Sequence, residues 1–575
     1  MSLEKDPATK SLTDVRSMDG RPSNSASQST TRIQSAENVN PSGPPPPDAK
    51  RGFFFIMVLV SLCISLFLSA LELTSVPVAL PTITDQLHGT DFVWVTSAYA
   101  LAATSLIPAM GGLAEIFGRK FSTLLSLALF AVGSAVCGAA HNMNMLIAGR
   151  AVQGAGGGGI QALSMIILSD LVSLKERGTY NGLLGLVWSV ATAIGPLIGG
   201  AFAKSGNWRW LFYLNLPLTG VVAFIVVTCL KLKTPRSTFR EKMGRIDWIG
   251  NIIITGSASS AVLGLTTGGV THPWTSAQTL VPLIIGFVGM FCFAIYEFNI
   301  PKEPIMPFLL VSNRTSISGY MQTFLVPIVV LSVLFWEPTY YQACFDASPI
   351  RAGVLLLPVS ASIGFFIIIS GASVAITKIY RPQLWFGWIT LIISAGVIST
   401  LKWDTPIPKA IGLPFLIAIG GGIVFPNALF PVLAPLPVSE NAHALALFSF
   451  FRSFASVWCI TIGSTILNNQ LGKKLSPEIL SNFPGGASGV FSSIPIIAML
   501  PTEAQIQVKV AFAEATSVIW ETMAGIAGLG FLISLIMKGL PLHTGVDDRW
   551  GVEEQEKAKQ AALEAEKEAV VVSST

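Results

Sequence analysis

Apolar runs of about twenty residues recur along almost the whole chain, and no other feature limits its fold so strongly. A helix rises about 1.5 Å per residue, so roughly twenty residues cross the ~30 Å hydrocarbon core of a bilayer. Such runs lie near 53–82, 92–114, 121–140, 145–172, 179–203, 209–231, 246–269, 279–300, 315–343, 351–377, 384–401, 409–434, 442–471 and 516–540, about fourteen in all. Backbone groups inside a bilayer must be satisfied within the protein, which makes each run a helix. Charged residues are only 12% of the 575, against about 25% in soluble domains. The expected class is an all-α polytopic membrane protein.

The small net charge of +4 is spread between the runs and leaves no nucleic-acid footprint. Six cysteines (Cys63, Cys137, Cys229, Cys292, Cys344, Cys459) form no Cys-x-x-Cys pair, so packing thiols are expected rather than disulfides or zinc. No cleavable signal peptide is visible, because the first fifty residues are polar and rich in Ser, Asn and Pro; they are expected to be disordered. The stretch 553–568, EEQEKAKQAALEAEKE, has the composition of a solvated helix, read as a soluble tail rather than a docking site.

Loop charge orients the helices. With a cytosolic N-terminus, the inside loops carry Arg119, Lys120, Lys175, Arg177, Lys231, Lys233, Arg236, Arg240, Lys242, Arg245, Lys302, Arg314, Lys378 and Arg381. The short outside loops carry Lys204, Arg209, Arg351, Lys402 and Lys409. Fourteen cations against five satisfy the positive-inside rule. An even span count returns the C-terminus to the cytosol, and the sequon at Asn313 then goes unused. The longest outside segment, 472–516, contains an amphipathic stretch at 503–515 that is expected to pack on the outer surface.

Four stretches carry the chemistry. In 146–159, LIAGRAVQGAGGGG, Arg150 sits inside an apolar run, with Gln153 on the same face and Gly154 beginning a surface that a second helix can approach closely. A phosphate loop is excluded, because no Lys-Ser/Thr follows and no strand precedes. Arg150 either serves transport or is satisfied by backbone carbonyls and holds the bundle together. Glu72 lies about twenty residues into the first run. Desolvation favours the neutral acid there and a nearby Arg150 would favour the carboxylate, so the competition could couple protonation to conformation. The alternative is a protonated, hydrogen-bonded packing residue. In 111–120, GGLAEIFGRK, residues Gly111, Glu115, Gly118, Arg119 and Lys120 make a tight inside turn. It is either an anchor or a charge lock that breaks and reforms as half-bundles rock, with Asp170 and Arg177 as partners. In 191–200, ATAIGPLIGG, Pro196 kinks the helix and Gly195, Gly199 and Gly200 admit a close neighbour. The following run, 208–217, WRWLFYLNLP, has the composition of a membrane interface.

Together these stretches resemble the major facilitator superfamily, and within it the fourteen-span drug:proton antiporter branch common in fungi. Leu146…Arg150…Gln153-Gly154 fits the family pattern l-x-x-x-R-x-x-q-G fully. The inside turn fits G-x-L-a-D-r-x-G-r-k with Glu115 for Asp and Ile116 for Arg, and 191–200 fits g-x-x-x-G-P-x-x-G-G with Ala191 for the first Gly. Glu72 stands where the first span usually has Asp, and Pro77 where it often has Asn. The resemblance covers about 53–540. It implies a tail at 1–52, a six-helix bundle at 53–231, a linker with two inserted helices at 232–314, a second six-helix bundle at 315–540, a cytosolic tail at 541–575, and a cargo cavity between the bundles.

The function expected is proton-coupled export of a small organic molecule by alternating access: a secondary metabolite, a secreted amphiphile such as a glycolipid, or a drug. Glu72 and Arg150 would couple protons, Gly111, Glu115, Gly118, Arg119, Lys120, Asp170 and Arg177 would gate, and Gly154, Gly195, Pro196, Gly199 and Gly200 would shape packing and hinge. Gln153, Trp188, Glu337 and Arg452 are candidate cavity residues, with aromatic neighbours suited to a bulky cargo. An importer of the same fold, for a siderophore for example, and a non-transporting nutrient sensor are the alternatives. No Walker loop, His-Glu-x-x-His or Gly-x-Ser-x-Gly occurs, so neither ATP-driven export nor these enzyme chemistries are expected. No cofactor is expected beyond the proton gradient, and the expected form is a monomer in the plasma membrane, with vacuolar or vesicle membranes as alternatives.

Overall fold

The computed structural model describes residues 52–87, 92–172, 174–230, 239–268, 272–301, 304–480, 494, 497 and 500–542. The expected tails lie outside the described residues except at their inner edges, and the expected loop 472–516 is described mainly at its two ends.

Among the described residues, fourteen helices occupy the fourteen apolar stretches: α1 (Phe53–Leu87), α2 (Phe92–Phe117), α3 (Arg119–Gly138), α4 (Met143–Leu171), α5 (Leu174–Lys204), α6 (Asn215–Cys229), α7 (Trp248–Thr267), α8 (Ala277–Asn299), α9 (Arg314–Phe345), α10 (Pro349–Thr377), α11 (Arg381–Ile398), α12 (Phe415–Asn427), α13 (Asn441–Lys474) and α14 (Thr502–Ile536). Of the described helical segments, 13 are long and apolar enough to cross a membrane. The remaining one, α11, has 18 residues and opens with the polar turn Arg381-Pro382-Gln383. Caps start several helices. Asn142, Asp247, Asn313 and Ser348 each accept a backbone N–H of the following first turn, which satisfies a donor that has no partner inside the helix.

The packing scheme is used twice. Helix α1 packs on α5 and α6, α4 on α2 and α3, and α3 on α6; α9 likewise packs on α13 and α14, α12 on α10 and α11, and α11 on α14. The two six-helix halves meet where α5 runs along α10 and α2 along α13. The inserted pair α7–α8 lies beside the second seam. Thr255 and Ser259 of α7 donate to Ser105 of α2, and Thr461 of α13 donates to the Leu265 carbonyl of α7 at 3.2 Å.

Helix α4 is a thin wedge, and its glycines explain how. A Cβ on Gly154 or Gly158 would strike the backbone of Tyr99 or Ala103 in α2, while one on Gly156 would strike the Phe130 and Ser126 backbone of α3. Two neighbours therefore close on one helix at backbone distance, which only glycine permits.

The end of the bundle where α1 begins is called the near end here. The expected surface helix at 503–515 is corrected by the structure. It forms the first turns of the 35-residue α14, and Val508, Ala511, Phe512 and Ala515 are buried. At about 1.5 Å per residue this helix is longer than a bilayer is thick. Its polar flank is tied down by Lys509 to Asp346 and Lys474 to Glu514, both at 2.5 Å.

Candidate functional site

Arg150 projects from the glycine wedge into the interior of the first half, where it cannot stay alone. Its Nη1 donates to Glu72 Oε2 of α1 at 2.7 Å and to Gln153 Oε1 at 2.6 Å. Its Nε donates to the Val95 carbonyl of α2 at 3.0 Å. The guanidinium lies 4.4 Å from the Tyr99 ring centre and 6.0 Å from that of Phe212, close enough for cation–π attraction. Both charged side chains of the pair are at most 2% exposed.

The second Glu72 oxygen accepts from Asn215 Nδ2 at the start of α6. Asn215 Nδ2 also donates to Ser134 Oγ of α3 at 3.3 Å, and Ser134 Oγ accepts from Gln153 Nε2 at 2.8 Å. Tyr99 OH lies 3.1 Å from Ser69 Oγ. One buried network thus joins five of the six helices in this half. A carboxylate with donors on both oxygens beside a cation can bind a proton only by giving up the ion pair, so protonation and helix contacts are linked.

At the near end Arg119 Nε donates to Asp170 Oδ2 at 2.7 Å, with side chains 1% and 3% exposed. Arg119 Nη1 also donates to the Ala114 carbonyl, which tethers the turn. Gly118 has φ +91°, a conformation that side chains resist, so α2 can stop and α3 start within one residue. Lys120 Nζ donates to the Val227 carbonyl near the C-terminus of α6 at 2.6 Å, where a cation is favoured. Arg177 donates to the carbonyls of Ser169 and Val172. Glu115 reaches across to the second half, with Oε2 3.9 Å from His443 Nε2 of α13. The turn at 111–120 is therefore two devices: Arg119–Asp170 within the first half, and Glu115 facing His443 across the seam. Gly111 sits at the same seam, where a Cβ would meet Ala446.

The match to the family described as Major Facilitator Superfamily runs over residues 62–459. The chain belongs to the major facilitator superfamily. Among its relatives in that superfamily are the MFS-type efflux pump LUC4 of Fusarium sp, 36% identical over 93% of this chain and 98% of the relative, and the efflux pump FUS6 of Gibberella fujikuroi, 36% identical over 89% and 94%. The human organic anion transporter MFSD10 shares the fold at a TM-score of 0.53 and 13% identity, over 83% of this chain and 99% of that one. A superfamily transporter is a multi-pass membrane protein with a small-molecule cargo, and the apolar helices agree.

The remaining superfamily positions separate by location. Gly195 and Gly199 press on α1, where a Cβ would collide with Thr74 or the Ser75 carbonyl, while Pro196 faces Gly353 of α10. Gly200 is buried and Trp188 half-buried on the same helix. Ser189, next to Trp188, donates to the Ser360 carbonyl across the seam. Glu337 is fully buried with neighbours Tyr340, Ile398, Leu401 and Trp520, all from the second half, which places it away from the seam between the halves. Arg452 sits between the Phe425 and Phe448 rings at 4.1 and 4.6 Å and donates to the Phe425 carbonyl at 2.8 Å. No carboxylate pairs with it among the described residues. The adjacent Ser453 bonds Thr104 of α2 at 2.7 Å, so Arg452 lies beside the contact between the halves.

The run 208–217, with its interface-like composition, is partly built into the bundle. Trp208, Leu211, Phe212 and Asn215 are buried, while Trp210 is 57% exposed. Trp208 Nε1 donates to Gln86 Oε1 at 2.9 Å, and Arg209 covers the Trp208 ring at 4.4 Å, so this run stitches α6 to α1. Composition alone missed Asn215, Ser134 and Tyr99. The available signal for Asn215 was that it is the only amide side chain between Arg209 and Lys231, and an amide inside an apolar span seeks a partner.

Proposed function

We propose that this transporter exports a small organic molecule in exchange for protons, by rocking its two halves about the α5–α10 and α2–α13 seams. The single observation that carries the coupling is the buried Glu72–Arg150 pair with its amide and hydroxyl neighbours. Export is supported by relatives named efflux pumps at 36% identity along most of the chain. A secondary metabolite as cargo is supported by the relative named as an acurin A biosynthesis cluster transporter, 34% identical.

In this reading a proton arriving at Glu72 displaces Arg150, which stays held by Val95 and Gln153, and the loosened contact between α1 and α4 favours the other orientation of the halves. Arg119–Asp170 keeps the first half rigid while Glu115–His443 opens and closes at the near end. The near end is cytosolic, the membrane is the plasma membrane, one chain suffices, and no ATP is consumed. The cargo binds between the halves near Arg452, Phe425 and Phe448.

The test is metabolite profiling inside and outside cells after deletion of the gene and its restoration as wild type or Glu72→Gln. Intracellular build-up of one compound, relieved by wild type and not by Glu72→Gln, is expected. Equal rescue by both removes Glu72 from coupling. Reduced uptake of an external compound on deletion would replace export with import.

A further inference from the structure

The near end of the second half holds a feature to which the proposed transport cycle gives no role. An open cavity of about 580 Å³ is lined by Arg314, Arg381 and Lys538 together with Leu535, Ile536 and Met537. Three cations converge on it, and none of its lining residues is acidic. Arg314 begins α9 and Arg381 begins α11, so two helix N-termini add their positive ends to the same space.

The walls of the cavity are built. Tyr380 OH donates to the Lys538 carbonyl at 2.8 Å and accepts from Leu540 N at 3.1 Å. Lys538 N donates to Thr315 Oγ1 at 3.1 Å. These bonds pin the segment after α14 between the starts of α9 and α11. Arg381 is laid on the Trp385 ring at 4.8 Å, and its Nε is buried without a hydrogen-bond partner among the described residues. The Arg381 guanidinium is thus held on the wall of the cavity, while Arg314 and Lys538 of the same lining are exposed.

The apolar part of the lining selects the kind of anion. Leu535 is 46% and Ile536 53% exposed, and Leu532, one turn earlier, is 61% exposed. An apolar strip therefore runs from the cationic cavity along the lipid-facing side of α14. A free phosphate would leave that strip unused, whereas a phospholipid would cover it with an acyl chain.

We propose that this cavity binds one anionic phospholipid, with the headgroup between Arg314, Arg381 and Lys538 and a chain along Leu535 and Ile536. Binding rests on the fold alone; only the assignment to the cytosolic leaflet rests on the orientation proposed above.

The test uses the purified full chain in lipid nanodiscs of phosphatidylcholine with or without phosphatidylserine, and counts retained lipids by native mass spectrometry. One cation near a charged membrane surface contributes about fivefold in affinity, so Arg314→Ala/Arg381→Ala/Lys538→Ala is expected to lose on the order of a hundredfold. Arg314→Ala alone, at an exposed position, is expected to lose about fivefold and decides the matter if the triple variant does not fold. Wild type is expected to retain phosphatidylserine over phosphatidylcholine, and millimolar inorganic phosphate is expected not to displace it. Equal retention of the two lipids, or no loss in either variant, overturns the proposal. Displacement by phosphate with tight phosphate binding in lipid-free detergent overturns the lipid in favour of a soluble anion. Loss of binding without loss of export would leave the transport reading untouched.

Discussion

Removing Arg150 should cost far more than removing it together with its partner. Arg150→Met deletes the bonds to Glu72, Gln153 and the Val95 carbonyl and leaves the Glu72 carboxylate in a space where the pair is at most 2% exposed. Breaking a buried ion pair from one side costs about 3–5 kcal/mol, because the survivor is uncompensated. In Glu72→Gln/Arg150→Met no charge remains, and the residue left at position 72 keeps an amide that Asn215 can address, so the expected loss falls to about 1–3 kcal/mol. The double variant is therefore expected to lose about 2 kcal/mol less than Arg150→Met alone, and adding the Glu72→Gln loss makes the coupling larger than about 2 kcal/mol, well outside the error expected for independent sites. Unfolding midpoints in mixed detergent micelles would be read through thiol labelling of Cys137. That residue is fully buried, donates to the Leu146 carbonyl at 3.7 Å one turn before Arg150, and would be the sole cysteine retained. Additive losses across the cycle, or a single Arg150→Met loss below about 1 kcal/mol, would refute the claim that this pair is mutually compensating.

Two further contrasts use the same unfolding assay. Gly158→Val places a side chain on the Ala103 backbone, whereas a methyl group added at Gly525 would meet nothing within 4 Å; the first should lose about 3 kcal/mol or more, and Gly525→Ala should be neutral or gain up to about 1 kcal/mol. At the near end, Asp170→Asn leaves the buried Arg119 without its carboxylate and should lose about 3 kcal/mol. Glu115→Gln, at a half-buried contact of 3.9 Å to His443, should change stability by less than about 1 kcal/mol; a larger loss than for Asp170→Asn would invert the roles assigned to the two.

Burial of charge was legible from local sequence, and the choice of partners was not. A guanidinium at position 150 and a carboxyl at position 72 announce themselves because each interrupts an apolar run, and a charge in hydrocarbon demands compensation. Asn215 is 143 residues from Glu72 in the chain, and no periodicity connects them. The turn at 111–120 showed its charges in one line, yet Glu115 turns to His443 while Arg119 turns to Asp170, since helix rotation separates neighbours in sequence. Similarly, 503–515 looks amphipathic by itself, and only the faces of Asp346, Lys474 and the second-half core show why it continues α14.

The sequence by itself determined the helices, their approximate limits, the membrane class and the family motifs, because the hydrophobic length needed to cross a bilayer is a property of consecutive residues. The glycines of α4 likewise declared that something must approach closely. Tertiary structure alone decided that α2 and α3 do so, that Glu72 and Arg150 share one network with Asn215 and Ser134, that Arg452 sits between two aromatic rings, and that three cations distant in sequence frame one cavity. Those are relations between helices, set by how two halves pack, and single-chain periodicity carries no record of them.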